Sequence, residues 1–225
     1  EIDNPRIGAP PGSMLGAEQK SWFKSSLENS GAKWKLICNN TPMMHFGFDM
    51  TFRENGGIDD IWWSDSWDGY PVERRELAQF VRQRKITNVI SLTGDRHGQY
   101  AGYIVDDQDP DEPVRVIPEF SSAGVSARSR MELQYTVTRR NAEELLPRIG
   151  FQPTDAAPDA ELVPSLNAWL LYGNRSAEVL AETNDDEAAL AVADSRVNSH
   201  LLYADNHAFG YFTAHVTMTS MLVEF

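Results

Sequence analysis

Nine residues constrain this chain most: Val89-Ile90-Ser91-Leu92-Thr93-Gly94-Asp95-Arg96-His97. An apolar, β-branched run stops abruptly at Gly-Asp-x-His. The run has the length and composition of a short buried strand. Gly94 is expected to let the backbone turn sharply as it leaves that strand. Asp95 and His97 are two residues apart. Beside an extended strand end they are expected to lean to one side, with Arg96 turned to the other. Open α/β sheets gather their ligands at the carboxyl ends of strands. A carboxylate oxygen and an imidazole nitrogen converging there suit a transition-metal or mixed-metal site. The bland alternative is an aspartate capping a turn beside a packed histidine.

The flanking chain supplies an α/β setting. Leu15 to about Asn29 predicts a helix with Trp22, Phe23 and Leu27 on one side, stopped near Gly31. Trp34–Cys38 predicts a buried strand, with Cys38 as a packed, inert thiol. Pro71 fits the first turn of a helix running to about Lys85, with Leu77, Phe80 and Val81 inward. Strands are expected over Tyr100–Val105 and Val114–Phe120, joined by an acidic turn with two prolines. Beyond them, Asn141–Leu146 begins a helix that Pro147 interrupts. Glu178–Asp194 predicts an exposed helix, and Phe209–Val216 a final strand. Residues 1–13 form a Pro/Gly-rich lead-in arm, and residues 150–164 a loop or insertion. Early strand–helix alternation followed by strand pairs predicts an α/β sandwich, one domain over residues 1–225.

Composition excludes several function classes. The chain has 33 acidic and 20 basic side chains, a net charge of −13. Binding to a nucleic-acid backbone needs clustered Lys and Arg and is not expected. No segment has the apolar length of a membrane span. One cysteine rules out an intrachain disulfide framework and a four-cysteine zinc site. Neither Gly-x-Ser-x-Gly nor a P-loop string is present. Glu1-Ile2-Asp3-Asn4-Pro5 has no basic or apolar leader region, which suggests a chain that begins inside a longer precursor or was trimmed.

Five stretches resemble PhoD-type alkaline phosphatases, in the family's order. Leu15-Gly16-Ala17-Glu18-Gln19-Lys20-Ser21-Trp22 resembles its Leu-Gly-x-Glu-Gln-x-x-Trp helix. Trp34-Lys35-Leu36-Ile37-Cys38-Asn39-Asn40-Thr41-Pro42-Met43 resembles its Trp-Lys strand, with Asn40 where the family usually has Gln. Asp65-Ser66-Trp67-Asp68-Gly69-Tyr70-Pro71-Val72-Glu73-Arg74 and Thr93-Gly94-Asp95-Arg96-His97 match two further motifs. Asn198-Ser199-His200-Leu201-Leu202-Tyr203 with Gly210-Tyr211 is similar to the closing motif, with Ser199 for Pro.

The resemblance implies a metallophosphoesterase with an α/β/β/α sandwich, of which this chain is the C-terminal half with a mixed sheet. It implies hydrolysis of phosphate mono- or diesters, iron and calcium as metals, and a secreted or periplasmic location. Related enzymes use zinc, manganese or magnesium. The family's first half has no counterpart here, so an N-terminal half or companion chain is expected to complete the site. Two alternatives stay open: a non-catalytic subunit or binding module that retains the fold, or a phospholipase-D-like diesterase.

Asp95 and His97 are the expected metal ligands and catalytic residues. Arg96 either grips phosphate through its fork or forms a structural salt bridge. Asn39 either serves metal or phosphate or caps a turn. Trp67 and Tyr70 line a substrate pocket or simply pack. Asp65 and Asp68 hold the aromatic loop through backbone hydrogen bonds or touch metal. His200 lies near the substrate or is a satisfied loop histidine. His45 and His207 carry no expected role.

Overall fold

The computed structural model describes residues 12–61, 64–109, 112–150 and 165–225. The arm over 1–11, the Trp62-Trp63 pair and the segment 151–164 lie outside the described residues. The central feature is a five-stranded sheet in the order β1-β4-β6-β5-β7. These strands are β1 (Lys35–Cys38), β4 (Val89–Thr93), β5 (Gln99–Asp106), β6 (Val114–Ser121) and β7 (Leu201–Asp205). β1 and β6 run parallel to β4, whereas β5 runs antiparallel to β6 and β7. The fold is therefore α/β with a mixed sheet. β4 lies between two parallel neighbours, so its run is apolar almost throughout rather than alternating.

The register separates two faces. Ile37, Ser91 and Glu119 share one row and are buried. The neighbouring row, Cys38, Leu92, Phe120, Ala101 and Tyr203, is exposed or half-buried. Helices α1 (Gly16–Asn29) and α2 (Pro71–Gln83) contribute Leu27, Leu77, Ala78 and Val81 to one apolar cluster, with Ile37, Val89, Ile104 and Ile117. A second cluster centres on Trp169 and gathers Phe48, Tyr100, Met131, Ile149, Leu166 and Leu201. Its helices are α3 (Arg130–Asn141), α4 (Leu146–Ile149), α5 (Leu166–Tyr172), α6 (Asn174–Thr183) and α7 (Asp186–Leu190). The second sheet of the expected sandwich is not among the described residues. Two short ribbons accompany the main sheet: β2 (Gly47–Phe48) with β3 (Asp60–Ile61), and β8 (Thr213–Val216) with β9 (Met221–Glu224).

Several local expectations need correction. The strand closing the sheet is β7; the predicted terminal strand pairs only with β9. Asn141 ends a helix instead of beginning one. The capping box of Ser129 and Glu132 starts α3, and Pro147 sits in the first turn of α4, where its missing N–H costs nothing. The single acidic helix is two, α6 and α7, split at Asn184 with φ 51°. The α6 half buries Ala177, Val179 and Leu180. Cys38 is exposed, because β1 is an edge strand of the sheet. Trp22 is 64% exposed and stands off the core that Leu27 enters.

Candidate functional site

Three parallel strands, β1, β4 and β6, deliver their following loops to the same end of the sheet. Asn39 N–H bonds the Leu92 carbonyl at 3.1 Å, and Ser122 N–H bonds the Thr93 carbonyl at 3.1 Å. Asp95 and His97 lie in the middle one of these loops. Their backbone is not the extended continuation of the strand. Both residues are left-handed, Asp95 at φ 71° and His97 at φ 59°. Gly94 carries no positive φ, and a Cβ there meets nothing within 4 Å, so the sharp turn comes from its neighbours. Left-handed backbone is costly for residues with a Cβ and persists where the surroundings impose it.

The imposed turn sorts its three side chains. Asp95 is exposed, and among the described residues its carboxylate has no hydrogen bond or ion pair. His97 is half-buried, with Nδ1 2.6 Å from the Arg128 carbonyl oxygen. A carbonyl only accepts, so Nδ1 carries a proton, and Nε2 is the nitrogen left to offer a lone pair. That is the tautomer a metal-binding histidine needs, held by an outer acceptor. The donor types fit a metal, but the set is incomplete. Among the described residues no three His, Cys, Asp or Glu side chains gather as a metal-holding group.

Arg96 points inward and is 7% exposed. Its Nη2 donates to Asp68 Oδ2 at 3.2 Å, and its guanidinium lies 4.4 Å from the Phe46 ring centroid. The salt bridge to Asp68 is therefore its observed contact. Asp68 also departs from expectation. Its buried carboxylate takes side-chain bonds from His45 Nδ1 at 2.6 Å and Arg74 Nη1 at 2.7 Å. Burial pushes the Asp68 carboxyl up, but His45, Arg74 and Arg96 together hold it below the usual range. His45 Nε2 is 2.7 Å from Asp59 Oδ1, so one imidazole bridges two carboxylates. Burial opposes its charge, yet Asp59 and Asp68 outweigh that and push its pKa up to about 9.

The other predicted residues separate from this loop. Asn39 caps its own turn, with Oδ1 accepting from Asn40 N–H at 3.0 Å. Trp67 is 2% exposed and packs in the core with Met43 and Leu77. Asn39 and Trp67 both border a cleft of about 400 Å³ between α1 and β1, and neither Asp95 nor His97 lines it. Tyr70 is half-buried at the entrance to α2. His200 is buried and donates Nε2–H to the His45 carbonyl at 2.8 Å. Burial pushes its pKa down to about 4, so it is a neutral clamp and not a surface contact for substrate. Asn198 works beside it, bonding both the N–H and the carbonyl of Gly47 and the Leu170 carbonyl.

Sequence reasoning missed two groups. His45 is the hub of the buried charge network, but its partners lie 14 and 23 residues away with no local pattern. Glu119 is fully buried and accepts from Met43 N–H, Met44 N–H and Ser91 Oγ–H, tying the loop after β1 to β6. A lone Glu inside an apolar strand, Val-Ile-Pro-Glu-Phe, was the available signal.

The family whose pattern fits this chain is described as PhoD-like phosphatase, and the match runs over residues 1–225. The chain belongs to the PhoD-like phosphatase family. Alkaline phosphatase D of Bacillus subtilis (strain 168) is 32% identical over 92 residues, 41% of this chain and 15% of that protein. A solved structure of PhoD aligns with 68% of this chain and 34% of its own at 21% identity, with a TM-score of 0.41. The chain thus spans a minor part of the length of both relatives. Among the described residues no helix is long and apolar enough to cross a membrane.

Proposed function

We propose that this chain carries one part of a metal-dependent phosphoesterase site, acting on phosphate mono- or diesters. The observation that carries the reading is the His97–Arg128 bond, which leaves Nε2 available two residues from Asp95, whose exposed carboxylate has no partner among the described residues. Asp95 and His97 would hold the metal, iron with calcium or a zinc, manganese or magnesium counterpart. Bound metal would supply an activated water and neutralise phosphoryl charge. In-line hydrolysis otherwise demands chiefly positioning. The strained turn provides it by presenting Asp95 and His97 outward on a fixed backbone. Arg96 serves that geometry from beneath.

The donor set is completed, in this reading, by an N-terminal half or companion chain. Supporting it is the half-exposed apolar row Cys38, Leu92, Phe120, Ala101 and Tyr203, a sheet face that invites a second layer. A secreted or periplasmic location accompanies the reading.

The test is the Asp95→Asn/His97→Ala double variant in the complete protein, assayed with p-nitrophenyl phosphate and its bis ester. Metal content is expected to drop, and hydrolysis to fall more than about 100-fold, beyond the usual loss from an outer partner. Unchanged metal content and activity refute the assignment. A complete parent that holds metal at neither donor and hydrolyses neither ester supports the non-catalytic binding module instead.

A further inference from the structure

We propose that Asp68 is the positioning residue of the Asp95–His97 turn and that it acts through Arg96. This role rests on the reading of those two residues as the phosphoester-site donors. The turn is held from two sides. On one side, the start of α3 grips His97: Arg128 accepts from Nδ1, and Arg130 N–H bonds the His97 carbonyl at 2.6 Å. On the other side the Arg96 side chain reaches into the protein, beside the Gly94 carbonyl that accepts from Ser121 Oγ at 3.4 Å.

Asp68 is the anion that meets it, while Phe46 faces the flat of the guanidinium. Two left-handed residues flank Arg96, so the turn needs an anchor between them. The anchor is itself rigid. Asp68 is clamped by Arg74 on α2 and by His45, which also holds Asp59. Arg130 also repels Arg96, which leaves Asp68 as the carboxylate paired directly with Arg96. The Asp-x-x-Asp of the aromatic segment thus acquires a division of labour. Asp65 is exposed, and Asp68 is the buried strut under the donor loop.

The experiment compares Asp68→Asn, Arg96→Lys and Arg74→Lys with the parent chain by NMR. Three signals are followed: amide exchange over residues 95–98, the couplings that report φ of Asp95 and His97, and the His97 imidazole 15N shifts. Asp68→Asn and Arg96→Lys are expected to speed exchange over 95–98 about tenfold and to mix the His97 tautomers. Amides of Tyr103 and Ile104 in β5 should stay at parent rates. Arg74→Lys keeps a cation beside Asp68 and leaves the Arg96–Asp68 pair in place, so it should loosen the turn much less.

The proposal is overturned if the turn is unchanged in the folded variants, or loosens equally in Arg74→Lys. Should Asp68→Asn fail to fold, Arg96→Lys reads the same link and decides. Zinc titration of the parent is scored separately. A loosened turn in a chain whose complete protein binds no metal leaves the positioning role standing and refutes the phosphoesterase reading.

Discussion

Raising the pH should loosen this protein through His45. Unfolded, the ring titrates near 6.5; folded, between Asp59 and Asp68, it holds its proton to about 9. A histidine more basic in the folded state stabilises the fold while protonated. Its contribution is complete below pH 6.5, shrinks as the pH climbs, and is gone above about 9. The gap corresponds to about 3 kcal/mol, of which about 2 kcal/mol remains at pH 7.5. That remainder is lost by pH 10, roughly 4–8 °C in Tm for a domain of this size.

The groups facing His45 are named in the network: Asp59 and Asp68 favour its charge, Arg74 opposes it, and His200 stacks 6.2 Å away as a neutral ring. His45→Gln removes the titration and keeps a polar side chain. Urea unfolding at pH 7.5 and pH 10 should show the parent losing about 2 kcal/mol more than the variant between the two. Other lysines and tyrosines titrate in both proteins and cancel. Equal losses in parent and variant would refute the bridging role of His45.

Three further outcomes check the packing. Trp169→Ala removes a fully buried ring and the Nε1–H bond to the Asp49 carbonyl at 2.9 Å, and should cost about 3–5 kcal/mol by urea titration. Cys38 should react with one equivalent of a disulfide reagent within minutes in native buffer, since its strand is an open edge; a need for denaturant would contradict that exposure. Asn184→Ala should destabilise by about 1 kcal/mol because φ 51° suits Asn or Gly, while Asn184→Gly should be near neutral by the same assay.

Local chemistry made much of the scaffold legible. The α1, β1, α2, β4, β5 and β6 segments all form close to where periodicity and turn residues put them. They are strongly patterned and bounded by Pro71, by the Asn39–Pro42 loop and by the acidic turn after β5. The α3 start was readable in principle from Ser129 and Glu132, a capping box with a weak apolar stripe behind it. Cys38 was misjudged because its pattern is that of a central strand, and no sequence signal marks a strand as an edge.

The proposed donors Asp95 and His97 come from the Gly-Asp-x-His string, but the geometry of that turn was not legible there. Period-two alternation applies only to extended backbone, and residues 94–97 leave that conformation at once. Arg96 was expected to point away from its neighbours by period-two alternation, which does not hold here; it is turned by an anion and an aromatic ring from distant segments. The sequence by itself determined the family and the α/β class, because these rest on local strings and short-range periodicity. Only the tertiary structure decided which histidine bridges two acids, which is a buried clamp, and which keeps Nε2 free. Those roles depend on partners 14 to 155 residues away and on the burial that makes each pairing count.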